Sequence, residues 1–276
     1  MITVDGNKIA ENILKEIQSD AKDLGLAVVQ VGDNKVSSLF IKKKREVAEK
    51  MGVNFKLFQF PIDISTNALR KEIKNIKDKK NINGILVQLP LPEKTNTQYI
   101  LDSIPFEKDI DMLSSLAVGR FITGKTKTSP PVTTATLKIL DSHNIKIESK
   151  VVVIVGAGRL VGRPLMHAFL KRGATVIVLN AFTKDISSFT KMADILISGT
   201  GNPGLITGNM IKKGVVLVDA GLSVKKLQSG KLSFEGDVNC GKSSKIKLLV
   251  PAIGGIGPIT VAMVINNLLI LAKKIK

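Results

Sequence analysis

The segment Lys150–Pro164, reading KVVVIVGAGRLVGRP, constrains the fold more than any other stretch. Five consecutive apolar residues, Val151 to Val155, run into Gly156-Ala157-Gly158, and Gly162 follows after an apolar turn. A short β-branched run ended by glycine reads as a strand buried on both faces. The residues after it have helical spacing and stop at Gly173. Strand, glycine turn and helix together open a dinucleotide fold, in which backbone amides approach a pyrophosphate at the positive end of the helix. The spacing G-x-G-x-x-x-G is one residue longer than the usual G-x-G-x-x-G. Taken alone, the glycines also fit a tight turn with no ligand.

Alternation of strand and helix begins well before this loop. Asp5–Leu24 reads as a helix with Ile9, Ile13, Ile17 and Ala21 on one stripe. Leu26–Val31 is a buried strand closed by Gly32-Asp33-Asn34, Ser37–Met51 a helix, Val53–Phe60 a strand and Thr66–Lys80 a charged helix. Asn83–Leu86 opens a further strand. The order predicts a parallel α/β layer. Between Pro105 and Pro131 the pattern becomes irregular, which marks a domain crossing. Val132–His143 reads as a helix, and Thr175–Leu179, Ile195–Ile197 and Val215–Val218 as strands; Leu222–Lys247 reads as a looser tract. The apolar helix Ile259–Leu271 is expected to return to the first domain. The fold class is therefore α/β with two domains, the second Rossmann-like around the glycine loop; the family resemblance set out below implies that the first is the N-terminal α/β catalytic domain and the second the NAD(P)-binding domain. The expected boundaries are 1–122 plus 251–276 for the first and 123–250 for the second.

Composition removes several function classes. One cysteine, Cys240, excludes a disulfide framework and points to a cytoplasmic setting. Two distant histidines, His143 and His167, offer no zinc spacing, so no metal is expected. No apolar run is read as reaching the roughly 18 residues of a membrane span, and the N-terminus does not read as a signal peptide. A net charge of +18 raises nucleic acid as a partner, but the lysines are spread over the chain and aromatics are only 4%, so no stacking platform is expected. The positive field instead suits small anionic ligands.

Four features carry candidate chemistry. Lys44, in the run Lys42-Lys43-Lys44-Arg45, shares a helical face with Phe40, Ile41 and Ala48 and so points toward apolar material. A lysine drawn out of water has a lowered pKa and can shuttle protons. Gln88 interrupts an apolar strand end, either as a satisfied core amide or as a ligand-facing group at the carboxyl end of a parallel strand. Asp109 and Asp111 flank Ile110 and share a face if the segment is extended, either as surface carboxylates or as acceptors for an N–H-rich heterocycle. Gly254-Gly255-Ile256-Gly257-Pro258 suggests close backbone approach to a ligand.

Set end to end, these pieces resemble the bifunctional methylenetetrahydrofolate dehydrogenase/cyclohydrolase family. The resemblance rests on VGDNKVSSLFIKKK at 31–44, GILVQLPLP at 84–92, KDID at 108–111, VGR at 118–120, VGAGRLVGRP at 155–164, SGTGNPGLI at 198–206, VDAGL at 218–222, GDV at 236–238 and GGIGPITVAM at 254–263. It implies oxidation of methylenetetrahydrofolate to the methenyl cation with a nicotinamide cofactor, then hydrolysis to formyltetrahydrofolate. It also implies a homodimer and no nucleic-acid or membrane partner. By motif, Lys44 matches the catalytic lysine, Gln88 its hydrogen-bonding glutamine and Asp111 the carboxylate that holds the pterin. Ser37, Phe40, Gly254, Gly255 and Pro258 match the folate side. Gly156, Ala157, Gly158, Arg159, Gly162, Asn180, Thr200 and Leu222 match the cofactor side.

Three departures shape the expectations. Phe40 stands where the family usually has tyrosine, which leaves a second reading open: a dehydrogenase with weak cyclohydrolase. Met112 stands where glycine follows KDID, and P-C-T-P-x-G reads PVTTAT at 131–136. The family's G-R-S reads Gly156-Ala157-Gly158, and Ala181 replaces a serine near the ribose phosphate. No acidic residue ends the second strand at Leu179-Asn180, and Arg159 and Lys184 supply cations, so NADP is expected over NAD. A reading of another class, a basic scaffold that only keeps the fold, has to explain why Lys44, Gln88 and Asp111 are all present.

Overall fold

The computed structural model describes residues 1–226, 232–241 and 243–273. Two compact units emerge. One joins Met1–Ala10 to Val132–Thr260, and the other joins Glu11–Pro131 to Val261–Lys276. The chain opens with a two-residue strand, β1 (Ile2–Thr3), and a helix, α1 (Gly6–Ala21). It then builds β2 (Gly25–Val31), α2 (Lys35–Lys50), β3 (Asn54–Phe60), α3 (Thr66–Lys77), β4 (Gly84–Val87) and the short helices α4 (Thr97–Leu101) and α5 (Ser115–Ile122).

In this unit β2 lies between β3 and β4, all parallel. Every residue of β2 is buried, as a central strand covered on both faces requires. Alternate side chains feed two cores. Leu26 and Val28 pack with Ile41, Ala48 and Leu86, and with Val264 and Leu268 near the C-terminus. Ala27, Val29 and Val31 pack with Leu69, Ile73 and Ile76 of α3. Each fully buried Val, Leu or Ile among these contributes about 1.5–3 kcal/mol.

The other unit contains α6 (Pro131–Ser142), β5 (Val151–Val155), α7 (Gly162–Lys171), β6 (Thr175–Leu179), α8 (Ile186–Thr190), β7 (Ile195–Ser198), β8 (Ile206–Thr207), β9 (Val215–Asp219), β10 (Ser223–Lys226), β11 (Leu232–Glu235), β12 (Val238–Asn239) and β13 (Ile246–Val250). Its main sheet is parallel throughout, in the order β1-β13-β9-β7-β5-β6. After β5 the chain goes to one side for β6 and to the other for β7. The glycine loop therefore sits at the point where strand order reverses, the ligand crevice of open α/β sheets.

The helix read over Asp5–Leu24 is α1, preceded by a strand the sequence did not reveal: Ile2 and Thr3 pair with Leu248 and Leu249, a partner too distant in sequence for local pattern to show. Two expectations need correction. The tract Leu222–Lys247 is not simply loose, because β10 and β11 pair antiparallel and β12 pairs with β8; residues 227–231 and 242 lie outside the described ones. The final helix, α9 (Gly257–Lys273), together with the turn before it, forms a segment long and apolar enough to cross a membrane, contrary to the reading of the sequence. Most of it is buried within the protein, as in a core helix. Its C-terminal part returns to the layer of β2–β4, where Val264, Ile265, Leu268 and Leu271 join the core and Lys273 Nζ lies 2.6 Å from Asp20 Oδ2 at the end of α1.

Candidate active site

The α2 helix is aimed by its N-terminus. Gly32 takes a φ of +75°, which ends β2 with a turn that favours glycine. Asn34 then caps α2, its Oδ1 accepting from Val36 N and Ser37 N at 3.0 Å each. Ser37 and Ile41 are buried, Phe40 and Lys44 half-buried, so the face named from helical spacing is the inward one.

Gln88 follows directly on β4, its backbone N–H still donating to Val29 O at 2.8 Å. Its side chain is doubly used: Oε1 accepts from Lys44 Nζ at 2.8 Å, and Nε2 donates to Leu89 O at 2.8 Å. The next peptide bond, Leu89–Pro90, is cis. The second hydrogen bond fixes the amide orientation, so Lys44 faces an oxygen. Burial pushes the Lys44 ammonium below the usual lysine range, and the nearby Asp111 carboxylate opposes that shift.

The two aspartates of KDID part company. The segment is not extended: Met112 takes a φ of +59° and turns the chain. Asp109 is 1% exposed, and its Oδ2 accepts from Leu113 N at 3.0 Å and Ser114 N at 2.8 Å. It serves the start of α5, not a ligand, and burial raises its pKa. Asp111 accepts no hydrogen bond from the described residues. Burial pushes it up to about 6, Lys44 pulls it down and Asp109 pushes it further up. It is the acceptor left available.

Two side chains hold this turn. Asn267 of α9, 3% exposed, donates from Nδ2 to Ile110 O at 2.9 Å and Ser129 O at 2.8 Å. Thr128 Oγ1 donates to Met112 Sδ at 3.1 Å. Neither residue's role was legible in the sequence.

In the other unit, Gly156 has φ +105°, and a Cβ on it would fall 2.7 Å from Gly199 O. A Cβ on Gly162 would fall 1.9 Å from Gly156 O. These two glycines are demanded by the protein's own backbone. Gly158 differs, because an added Cβ there meets nothing within 4 Å. Val161 precedes α7 without a side-chain cap, and Arg159 Nη1 is buried without a hydrogen-bond partner. Open space, an uncapped helix N-terminus and an orphaned guanidinium N–H fit a phosphate-bearing dinucleotide. At the end of β6, Asn180 Oδ1 accepts from Phe182 N at 2.9 Å, so no carboxylate there opposes a ribose phosphate. Phe182 is 92% exposed.

Thr200 and Leu222 follow β7 and β9 at the carboxyl edge of the sheet. The Thr200 hydroxyl already donates to Asp237 Oδ2 at 2.8 Å. Gly254 has φ +71°, and the close approach expected of this loop is made by the chain itself: a Cβ on Gly6 would lie 1.7 Å from Gly255 O. Pro258 occupies the first turn of α9, where a missing N–H costs nothing. Among the described residues no group of three or more His, Cys, Asp or Glu could hold a metal.

Comparison with known proteins covers nearly the whole chain. Residues 4–111 match the family described as tetrahydrofolate dehydrogenase/cyclohydrolase, catalytic domain, and residues 130–276 match its NAD(P)-binding domain. The chain is 35% identical over 281 residues to the bifunctional protein FolD of Nautilia profundicola, covering 99% of this chain and 98% of that protein. Identity to the Lactobacillus gasseri bifunctional protein FolD is 37% over 271 residues, covering 97% and 95%. Among solved structures, the bifunctional FolD of Campylobacter jejuni superposes with a TM-score of 0.92 at 34% identity over 100% of both chains. The Trypanosoma brucei dehydrogenase-cyclohydrolase, complexed with NADP and an inhibitor, gives 0.93 at 28% identity over 99% and 97%.

Proposed function

The chain belongs to the tetrahydrofolate dehydrogenase/cyclohydrolase family, and from that premise we propose how its residues divide the work. The protein oxidises methylenetetrahydrofolate to methenyltetrahydrofolate with NADP and hydrolyses the product to formyltetrahydrofolate. Relatives named as bifunctional favour this two-step reading over a dehydrogenase with weak hydrolysis, Phe40 notwithstanding.

The observation that carries the residue assignment is the 2.8 Å contact from Lys44 Nζ to Gln88 Oε1, with the Asp111 carboxylate close enough to act on the same amine. Asp111 accepts hydrogen bonds from the pterin, and Ser37, Phe40, Gly254, Gly255 and Pro258 border the folate. Lys44 polarises the one-carbon bridge while Gln88 holds its direction. Bound NADP would supply a hydride acceptor for the bridge carbon. Water then adds to that carbon, and the amine of Lys44, whose neutral form burial favours, takes the proton released. The C–N bond of the resulting carbinolamine then opens, the hydroxyl proton passing to the departing nitrogen, and the formyl group remains on the other nitrogen. Gly156, Ala157, Gly158, Gly162, Arg159, Asn180, Thr200 and Leu222 hold the cofactor, with Arg159 on a phosphate. The same proposal includes folate chemistry in the 1–122 plus 251–276 portion, cofactor binding in 123–250, a homodimer and a cytoplasmic setting.

The test is absorbance of purified protein with methylenetetrahydrofolate and NADP, then NAD, following reduced cofactor and methenyl product separately. Cofactor reduction without methenyl build-up is the expected result. Methenyl accumulation refutes the second step, and no reduction with either cofactor refutes the enzyme.

A further inference from the structure

Asp237 lies in the GDV sequence between β11 and β12, is fully buried, and has no part in the chemistry above. Its Oδ2 accepts three hydrogen bonds, from Ser198 Oγ at 2.7 Å, Thr200 N at 2.7 Å and Thr200 Oγ1 at 2.8 Å. Its Oδ1 is buried with no partner. The carboxylate presses on the turn after β9, where a Cβ on Gly221 would sit 2.0 Å from both Cγ and Oδ1. Asp219 completes the arrangement from the other side. It accepts from Gly221 N and Asp237 N at 3.1 Å each and from Val238 N at 3.0 Å. A Cβ on Gly236 would fall 2.1 Å from Asp219 Oδ2.

Burying a carboxylate with one oxygen unsatisfied is costly, and an apolar side chain of similar size fills such a space without that cost. What the carboxylate supplies is fixed direction. Three hydrogen bonds to one oxygen set the 198–200 segment, and the contact with Gly221 sets the 220–222 turn against it. Both segments leave the carboxyl edge of the sheet, and both carry proposed cofactor contacts.

We propose that Asp237 is a positioning residue for the dinucleotide, holding the segments that present Thr200 and Leu222 in their binding geometry before the cofactor arrives. The inference rests on the cofactor assignment of the preceding section. It makes the Thr200 hydroxyl a brace within the protein, and leaves the Thr200 backbone and the Leu222 surface to meet the ligand. Preorganisation of this kind lowers the ordering cost of binding.

The test uses full-length Asp237→Ala, Asp237→Asn and Ser198→Ala. NADP binding is measured by calorimetry without folate, with kinetic constants for each substrate and amide hydrogen exchange of the free protein. Asp237→Ala is expected to bind NADP about tenfold more weakly, while kcat at saturating NADP and KM for the folate stay within about twofold. Asp237→Asn keeps an acceptor oxygen for the three donors and is expected within about threefold of the parent, and Ser198→Ala weakens NADP about threefold. Exchange at residues 200 and 221 accelerates in Asp237→Ala and Ser198→Ala. Unchanged NADP affinity in folded Asp237→Ala overturns the proposal, as does an equal loss toward both substrates. Should Asp237→Ala fail to fold, unchanged affinity and exchange in Ser198→Ala overturns it. If the parent protein itself binds no NADP, the cofactor assignment fails and the presentation role with it, while the exchange rates still report whether Asp237 holds the two segments.

Discussion

Replacing Gln88 by glutamate tests the electrostatics of the candidate site with little change of shape. Gln88 Oε1 lies 2.8 Å from Lys44 Nζ, so a carboxylate there sets a full negative charge against the amine. At an effective dielectric of 20, opposite unit charges about 3 Å apart attract by about 5–6 kcal/mol. Desolvation of the new carboxylate takes back about half, which leaves about 3 kcal/mol, or about 2 pK units in favour of the ammonium. Burial holds the Lys44 pKa down in the parent, and the introduced carboxylate pushes it back up. The neutral amine is then less populated at any given pH. Hydrolysis of methenyltetrahydrofolate, followed by loss of its absorbance, should fall and recover only at higher pH, its rising limb displaced by about 2 units. Hydride transfer, which leaves no proton on Lys44, should fall less. Gln88→Met is the opposing control: it removes the acceptor without adding charge, and should move the same limb toward acid. A limb that stays in place in Gln88→Glu, or moves toward acid in both variants, refutes the assignment of Lys44 as the proton acceptor.

Gly162→Ala should unfold the glycine loop and abolish NADP binding, because its Cβ meets Gly156 O at 1.9 Å, whereas Gly158→Ala should leave the thermal midpoint intact. If Gly158→Ala nevertheless binds NADP more weakly by calorimetry, the empty space beside it belongs to the cofactor; unchanged binding counts against that. Asn267→Leu removes two buried hydrogen bonds to the turn that carries Asp111, and should lower stability by about 2–4 kcal/mol and raise KM for the folate more than it lowers kcat. Asp219 has its pKa raised from 3.8 to about 6 by burial first, so the folded state takes up its proton before the unfolded state does. Its contribution to stability is therefore smallest above pH 6 and grows as pH falls toward 4, by about 3 kcal/mol in all. In urea unfolding, the parent should gain on Asp219→Asn over that window, and a constant difference between them would contradict the shift.

The parts of the site visible in the sequence are those whose residue type conflicts with its local pattern. Lys44 falls on an apolar helical face, and Gln88 breaks an apolar strand end. Both conflicts resolve into the one 2.8 Å contact between them. Glycine spacing located the loop after β5, though not which glycine serves the backbone and which leaves room. That distinction rests on the distance from Gly162 to Gly156 O, which depends on how α7 returns over β5. Strand β1 was hidden because two residues have no periodicity, and its partner β13 lies far along the chain. Asn267 was hidden because α9 is apolar nearly all round, and a single polar residue there shows its purpose only through the carbonyls it meets.

The aspartates were the hardest residues to read, and one physical rule sorts them. A carboxylate is available to a ligand only where the chain has not already directed its own N–H and O–H groups at it. Asp109 receives Leu113 N and Ser114 N, Asp219 receives three backbone amides, and Asp237 receives Ser198 and Thr200. Asp111 receives none among the described residues and is balanced only by the charge of Lys44. In sequence Asp109 and Asp111 are near-equivalent. The turn at Met112 separates them by bringing the backbone of Leu113 and Ser114 back to one carboxylate and away from the other. Asp237 repeats the logic of Asp109 at the other sheet: each acid is satisfied internally, and each fixes a segment next to groups that are not. Losing the internal acid should therefore weaken binding through its neighbours, while losing Asp111 should remove a ligand contact outright. A KM for the folate that rises in Asp111→Ala with no change in thermal midpoint would follow from that difference, and a fall in midpoint as large as that of Asn267→Leu would refute it.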